Sequence, residues 1–262
     1  MDYFSSHIYQ NLADSDKYLV KKINDWLEKS EHSFILKYSN FLDLHQIKIC
    51  EELISYKGYN NCKFYGGYNE AQRQILVIYT EYCSVEESDF PLVAIEFNYR
   101  KIDNLSHRDF LGCLMNLQIK REMIGDIIIN DGKTIVFVVD KISQFIIDNI
   151  SKVGSVGVNL SICNNDLNNI NSVVNFLDIT GFISSYRLDC IVSFVTKLSR
   201  EKSSAIIKSG NVTVNYILNE NISSLINLGD VFSIKGYGKF IFNECKGLTK
   251  KGRYNIIIKK YI

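Results

Sequence analysis

The hydrophobic pattern at the start of the chain predicts two helices. Residues 15–30 carry apolar side chains at helical spacing on one face and Lys, Asp and Glu on the others. Residues 42–56 repeat that spacing. We therefore expect residues 1–60 to form an N-terminal helical segment, which either packs as a scaffold on the next domain or presents an interaction surface of its own.

The middle of the chain alternates between strand and helix patterns. After a strand at 74–80, the predicted elements are a strand at 91–100, a helix at 106–117, strands at 125–130 and 133–139, a helix at 143–151 and a strand at 155–162. Ser106 can cap the first of these helices, and Asp131-Gly132 is a hairpin turn. From residue 91 the order is β-α-β-β-α-β. The fold predicted for residues 61–165 is therefore ferredoxin-like, as in the RNA recognition motif (RRM).

The aromatic residues of this predicted domain decide what its sheet can bind. An RRM stacks bases on exposed aromatic side chains of its central strands. In the strand at 91–100, Phe97 and Tyr99 share a face with Val93 and Ile95, and the opposite face carries no aromatic residue. We assign the aromatic face to the core. The sheet is therefore expected to lack a base-stacking platform and to act in scaffolding or docking.

The C-terminal part begins after a break in periodicity. Residues 166–181 are rich in Asn and weakly periodic, and we predict a linker there. Residues 182–262 then show an apolar helix stripe from Leu188 to Val195 and a second helix from Arg200 to about Ser209, with alternating strands beyond it. Ser199 can cap the second helix. Taken together, the predicted fold class of the chain is α+β.

Charge is distributed unevenly between the two parts of the chain. All 262 residues together hold 30 Lys and Arg against 29 Asp and Glu, a net charge of +1. Residues 182–262 hold 13 of the basic and five of the acidic residues, a net charge of +8, whereas residues 1–181 carry −7. A basic module on an acidic body is the distribution expected where one domain meets a polyanion.

Five short motifs follow one another in the C-terminal part. They are Arg187-Leu188-Asp189, Leu198-Ser199-Arg200, Ile206-Ile207-Lys208-Ser209-Gly210, Val212 to Asn215, and Gly229-Asp230-Val231. In this order they resemble the S-four RNA-binding domain, or αL motif. The run S-I-K-G-Y-G-K-F from Ser233 to Phe240 is similar to one subgroup of S-four proteins, the YlmH-type proteins.

Motifs in the body of the chain extend this resemblance. They are Phe41-Leu42-Asp43, Gly66-Gly67-Tyr68, Ala71 with Arg73, Ser106 to Gly112, Lys120-Arg121-Glu122, and Ile124-Gly125-Asp126. With them, the resemblance to YlmH-type proteins covers nearly the whole chain from about residue 41. Two positions depart from the family pattern, which usually has proline at Leu44 and glutamate at Gln72.

The resemblance implies a function and a set of partners. It implies a non-enzymatic, cytoplasmic protein that binds structured RNA, with rRNA as the main ligand and tRNA as a further candidate. It also implies association with the large ribosomal subunit near peptidyl-tRNA, in the quality control of stalled translation. Genes of this family neighbour cell-division genes, so division proteins stay open as partners.

The RNA contacts are predicted from the charged positions within the C-terminal motifs. At helical spacing, Arg200, Ser204 and Lys208 line one flank of the second helix, beside its buried side. The full predicted RNA-binding set is Arg187, Lys197, Arg200, Lys202, Ser204, Lys208, Lys235 and Lys239. His107 and Arg108 are candidates for a secondary RNA contact. Without the surrounding motifs, cations on a helix edge would be read as ordinary solvated residues.

No pattern in the sequence indicates a metal, a cofactor or membrane insertion. The seven cysteines and four histidines are dispersed, without a C-x-x-C pair or metal-ligand spacing. We therefore expect reduced thiols, no metal and no cofactor. The start of the chain shows no secretion signal, and no stretch approaches the roughly 20 apolar residues of a membrane span.

Two motifs are similar to catalytic sequences. His107-Arg108-Asp109 resembles the kinase catalytic loop, but the Asn and the D-F-G that should follow are missing. Arg187-Leu188-Asp189 is similar to the catalytic R-L-D of pseudouridine synthases. Here it is expected to begin a helix, in which Leu188 packs and Asp189 caps or pairs.

Two alternative functions stay open. An RNA-modifying enzyme is one, because S-four domains are often joined to pseudouridine synthases, methyltransferases and tyrosyl-tRNA synthetases; the chain shows no methyl-donor glycine loop and no synthetase motif. A protein scaffold linked to cell division is the other, and the helical N-terminus and the acidic body support it.

Overall fold

The computed structural model describes residues 9, 12, 14–32, 36–163, 176–250 and 252–261. The chain divides into two compact units, residues 1–172 and residues 173–262.

The first unit is built from four helices and nine strands within its described residues. Its first half contains α1 (Asp14–His32), β1 (Leu36–Leu42), α2 (Leu44–Lys57), β2 (Cys62–Tyr65) and β3 (Gln74–Tyr79). Its second half contains β4 (Leu92–Asn98), α3 (His107–Asn116), β5 (Ile124–Asn130), β6 (Lys133–Val139), α4 (Ser143–Asn149), β7 (Lys152–Val153), β8 (Val156–Gly157) and β9 (Asn159–Ile162). From β4 onward the predicted β-α-β-β-α-β order is present, with the small β7–β8 hairpin inserted before the last strand.

Seven strands of the first unit form two antiparallel sheets, and β7 and β8 pair only with each other. The first sheet has three strands in the order β1-β3-β2, and the second has four in the order β5-β6-β4-β9. Asp131-Gly132 turns the chain between β5 and β6, as predicted, with Gly132 at a φ of 76°.

The elements of the first unit stack in four layers. Helices α1 and α2 cover one face of the three-stranded sheet, where Leu76 and Ile78 of β3 join their core. The other face of that sheet, with Ile75 and Val77, packs against the four-stranded sheet. Helices α3 and α4 cover the far face of the four-stranded sheet. Strand β3 is thus buried on both faces, which explains its unbroken apolar run.

This layering corrects the predicted N-terminal boundary. The two predicted helices are confirmed as α1 and α2, but strand β1 between them was not predicted. Because β1 lies in one sheet with β2 and β3, the sheet spans the predicted boundary at residue 60. Residues 1–60 are therefore not a separate helical segment.

The second unit is one sheet with two helices on one face. Its elements are β10 (Phe176–Ile183), α5 (Leu188–Thr196), α6 (Arg200–Lys208), β11 (Val212–Val214), β12 (Ile217–Leu218), β13 (Val231–Ile234), β14 (Gly238–Leu248) and β15 (Tyr254–Tyr261). The sheet is antiparallel, in the order β10-β15-β14-β13-β11-β12. Leu188, Ile191 and Ile207 of the helices share a core with Phe232 and Phe240 of the sheet.

Strand β10 corrects the predicted linker. All eight of its residues pair with β15, from Phe176 opposite Tyr261 to Ile183 opposite Tyr254, so residues 176–181 are strand and not linker. The strand was missed because Gly181 occupies a core-facing position, where a Cβ would come within 2.6 Å of the ring of Phe194. The rest of the predicted linker, residues 166–175, lies outside the described residues.

Candidate RNA interface

An ion-pair cluster joins the starts of the two helices in the second unit. Asp189, in the first turn of α5, accepts hydrogen bonds from Arg187 Nε at 3.1 Å, Arg187 Nη2 at 3.3 Å and Arg200 Nη2 at 2.7 Å. Only 4% of Asp189 is exposed. Burial acts to raise the pKa of Asp189, but the hydrogen bonds and charges of Arg187 and Arg200 together lower it below its ordinary value. The carboxylate therefore stays ionised and holds both guanidinium groups in place.

The same cluster determines how Arg200 is presented to solvent. The hydrogen bond to Asp189 raises the pKa of Arg200, and 58% of the Arg200 side chain remains exposed. A guanidinium has five N–H donors, so the donors that Asp189 does not use can reach a phosphate. The expected pairing of Asp189 is confirmed. Arg200 therefore has a structural role besides its place on the flank, because replacing it would leave a buried carboxylate with one partner fewer.

Helix α6 presents the flank that the sequence predicts. Ser203 and Ile207 are buried, whereas Arg200, Lys202 and Lys208 are exposed and Ser204 is half-buried. Eight residues separate Arg200 from Lys208, which is about 12 Å along the helix axis at 1.5 Å per residue. The two cations can therefore meet separate phosphates.

The start of α6 is capped by the residue predicted for it, and a glycine in the left-handed conformation follows its end. The Ser199 hydroxyl accepts a hydrogen bond from the Lys202 N–H at 3.3 Å, and Gly210 follows the helix at a φ of 69°. The buried Ser203 hydroxyl donates to the Ser199 carbonyl at 3.0 Å, so it costs the core no unpaired polar group.

The remaining predicted contacts lie at other places in the second unit. Lys197 is exposed at the end of α5, in the left-handed conformation with a φ of 58°. Lys235 lies in the β13–β14 turn, and its N–H donates to the carbonyl of Asn211 at 2.9 Å, which places the turn beside the segment that follows α6. Lys239 lies on the sheet, with its ammonium 4.5 Å from the ring centroid of Tyr261.

A pocket of about 220 Å³ adjoins Arg200. Its lining residues are Phe182, Ile183, Ser184, Cys190, Ser193, Phe194, Arg200 and Arg253. Arg253 lies between β14 and β15 and was absent from the predicted set. No helical spacing or motif indicates it, because only the pairing of β14 with β15 brings it to the start of α6. Two guanidinium groups at one pocket suit an anionic group.

In the first unit, the sheet face that an RRM would use is covered. Ala94 of β4 and Phe137 of β6 pack against the three-stranded sheet. The backbone of Gly67 packs closely on the same face, since a Cβ there would come within 2.3 Å of the Phe137 ring. Ile95 and Phe97 face the helices, which confirms their assignment to the core. Base stacking on this sheet is therefore blocked on both faces.

The candidates for a secondary contact lie at the exposed start of α3. Asp109 accepts a hydrogen bond from the Ser106 N–H at 2.8 Å and so forms a capping box with that residue. Partial burial of the ring and the charge of Arg121 lower the pKa of His107, while Asp126 acts in the opposite sense. His107 is thus neutral near pH 7, and of the two candidates only Arg108 brings a charge.

Among the described residues, neither a metal-binding cluster nor a membrane-spanning helix is present. No three His, Cys, Asp or Glu side chains among them lie together as a metal ion would need. None of the helices in the described ranges is both long and apolar enough to cross a membrane.

Comparisons with known proteins show what this chain is similar to. Residues 85–166 match the family described as "Putative RNA-binding domain in YlmH". The "Ribosome-associated protein quality control protein P2" of Bacillus subtilis (strain 168) is 29% identical over 257 residues, which are 97% of this chain and 99% of that protein. Over residues 85–166 the chain is thus similar to the RNA-binding domain of YlmH-type proteins. A solved structure, "Cell division protein ylmH from Streptococcus pneumoniae", matches 59% of this chain and 94% of its own at a TM-score of 0.50 and 22% identity, which supports the mixed α and β fold.

Motifs that carry the YlmH-type resemblance meet where the two sheets of the first unit join. Arg73 donates from Nε to the carbonyl of Ile124 at 2.9 Å and from Nη2 to that of Phe41 at 3.2 Å. Arg121 also donates to the carbonyl of Ile124. Burial, and then the charge of Arg73, lower the pKa of Arg121 to about 10, although Asp126 acts against them. These arginines bridge backbone segments and stabilise the junction.

Asp126 makes further hydrogen bonds at this junction between the two sheets. Its carboxylate accepts hydrogen bonds from the Tyr68 hydroxyl at 2.8 Å and from the Gln72 N–H at 2.6 Å. Because Gln72 contributes its backbone to this contact, a glutamine can stand there in place of the usual glutamate. Leu44 is the first residue of α2, where proline is favoured but not required. The two departures from the family pattern are therefore compatible with this fold.

Proposed function

We propose that this chain is a non-enzymatic RNA-binding protein that associates with ribosomes in the cytoplasm. Two findings support the proposal: the relative named for ribosome-associated quality control covers nearly the whole chain, and the matched family is described by RNA binding. In the proposal the ligand is rRNA of the large subunit, with tRNA beside it, in the quality control of stalled translation.

Each unit has a distinct part in this proposal. Residues 92–162 adopt a ferredoxin-like plan, which the sheet order β5-β6-β4-β9 supports, and act as a docking body. Residues 176–261 act as an S-four domain, which the packing of α5 and α6 on one sheet face supports. The second unit supplies the main RNA contacts.

The Asp189 cluster is the observation that carries the proposal. It fixes the start of α6 and holds Arg187 and Arg200 at the surface, on the same helix pair as the exposed Lys202 and Lys208. Fixed guanidinium groups beside flexible ammonium groups suit a phosphate backbone, which positions a protein without reading the bases.

Sedimentation of the full chain with ribosomes tests the proposal. In a sucrose gradient, the unmodified protein should migrate with the large subunit, and the Lys202→Glu, Lys208→Glu double variant should stay at the top. Lys21→Glu with Lys152→Glu, two exposed cations of the first unit, is the matched charge control and should still co-migrate. An unmodified protein that stays at the top would contradict ribosome association and favour a protein scaffold.

The R-L-D sequence is the basis of the alternative, an RNA-modifying enzyme. Asp189 is 4% exposed and tied to two arginines, so its carboxylate cannot reach a base unless the cluster opens. Nucleoside mass spectrometry of rRNA checks this point. A modified nucleotide that requires the protein, and that is lost in an Asp189→Asn variant still folded by circular dichroism, would contradict the non-enzymatic assignment.

A further inference from the structure

The sheet of the second unit has two different faces. Ile183, Phe240, Ile256 and Ile258 point towards the helices and are buried. Because side chains alternate along a strand, the residues between them project from the opposite, outer face. Phe176 lies opposite Tyr261 there, and Lys259 pairs with both Asp178 and Ile241.

Aromatic rings and lysines collect at one end of this outer face. We call Phe176, Tyr216, Lys239, Lys259 and Tyr261 the aromatic-lysine face. The rings of Phe176 and Tyr261 meet edge to face, with centroids 4.9 Å apart, and Phe176 is 38% exposed. Lys259 lies 5.4 Å from the Phe176 centroid, and Lys239 lies 4.5 Å from that of Tyr261 and 5.1 Å from that of Tyr216.

The charge around this face is predominantly positive. Lys239 and Lys259 belong to it, and Lys235 is in the adjoining turn. Asp178 is the acidic residue of β10 that faces the same way. An apolar protein partner would gain nothing from these lysines, whereas a nucleic acid strand carries complementary phosphates.

We propose that the aromatic-lysine face binds unpaired nucleotides of RNA. A base stacks on Phe176 or Tyr261, and Lys259 moves from the Phe176 ring to a neighbouring phosphate. The exchange is favourable because a cation–π contact at an exposed site is weaker than base stacking on an aromatic ring. The inference rests on the proposed function, in which α5 and α6 hold the structured part of the same RNA.

The test compares two RNA hairpins that share one stem, one blunt and one with a single-stranded oligouridine tail. The full chain should bind the tailed hairpin roughly tenfold or more tightly, as one stacked base can provide. The Phe176→Leu, Tyr261→Leu double variant should lose most of this gain and bind the blunt hairpin as the unmodified protein does. Tyr18→Leu with Tyr82→Leu, two exposed rings of the first unit, is the matched control and should keep the gain.

Photocrosslinking gives an independent measurement on the unmodified protein. With 4-thiouridine in the tail, the crosslinked peptides should contain Phe176, Tyr216 or Tyr261. Equal affinity for both hairpins would overturn the inference, as would a double variant that keeps the tail gain or crosslinks that map to other surfaces. Failure to bind either hairpin would instead contradict the proposed RNA-binding function.

Discussion

Asp189 is the residue on which the proposed RNA-binding surface of the second unit depends. A buried carboxylate without partners is strongly unfavourable, so its two arginines are structural as well as available to RNA. One consequence concerns mutagenesis. A charge reversal at Arg200 would repel Asp189, and lost RNA binding in such a variant would not separate contact from folding.

Removing the charge of Asp189 should destabilise the second unit in a pH-dependent way. We expect Asp189→Asn to lower the free energy of unfolding by about 2–3 kcal/mol near pH 7, because hydrogen bonds to a charged group are lost. Because the pKa of Asp189 is lowered in the folded state, its stabilisation is complete above the unfolded pKa of about 4 and is lost as pH falls through the folded pKa.

Urea denaturation of both proteins at neutral and at strongly acidic pH measures this contribution. The difference in free energy of unfolding between the unmodified protein and the variant should shrink at the acidic pH. A difference that stays constant across that range would show that the carboxylate is not ionised in the cluster.

Two glycines of the first unit should respond to alanine in opposite directions. A Cβ at Gly125 would come within 2.7 Å of the Phe41 ring and 3.0 Å of the Phe137 Cβ, so Gly125→Ala should destabilise the junction by about 1–3 kcal/mol. Gly112, within α3, has no atom within 4 Å of its Cβ position, so Gly112→Ala should stabilise the protein by about 0.5–1 kcal/mol. Thermal unfolding compares the two; equal effects would contradict the packing described at Gly125.

Among the elements, helix α6 is held in place at its first turn and is exposed to solvent at its last turn. Its first turn is tied to α5 through Arg200 and Asp189, whereas Lys208 at its end is exposed. The hydrogen bond from Lys235 to Asn211 brings the β13–β14 turn next to that end. The end of α6 is therefore the place to test phosphate contacts without disturbing the core.

Reversing two charges at this end should weaken binding to many RNA sequences alike. If Lys208 and Lys235 each neutralise a phosphate, Lys208→Glu with Lys235→Glu should reduce the slope of log affinity against log salt by about 1.5–2. Fluorescence titration of a structured RNA over a range of salt concentrations measures the slope. The Lys21→Glu, Lys152→Glu control should leave it unchanged; an equal reduction in the control would indicate a general charge effect.

At the scale of the whole molecule, the charge difference follows the division into two units. The basic residues of the C-terminal part belong to a unit with its own sheet and its own core. The acidic first unit has its RRM-like sheet face covered, so its surface is better suited to docking than to reading bases.

Two fragments test this division of labour. The piece 173–262 should fold and keep most of the affinity for structured RNA, whereas 184–262 should be markedly less stable because it lacks β10, which pairs with β15 over eight residues. Circular dichroism and RNA titration of both pieces provide the measurement. Residues 1–172 binding as tightly as the full chain would contradict the assignment of RNA contacts to the second unit.

Local signals in the sequence determined most helices, the β5–β6 turn and the charged flank of α6. Ser199 marked the start of α6, the Leu188 stripe marked α5, and Asp131-Gly132 marked the β5–β6 hairpin. Each of these depends on residues within one or two turns of each other. The flank of α6 was predictable for the same reason, since helical spacing alone places Arg200, Ser204 and Lys208.

Only the tertiary structure decided the features that depend on distant partners. Strands β1 and β10 are specified by their pairing with β3 and β15, which are distant segments of the chain, so neither strand was predicted. The pairing of Arg200 with Asp189 and the approach of Arg253 to Arg200 likewise require the assembled unit. The physical reason is that strand pairing and buried ion pairs derive their free energy from contacts between distant segments, so no local pattern encodes them.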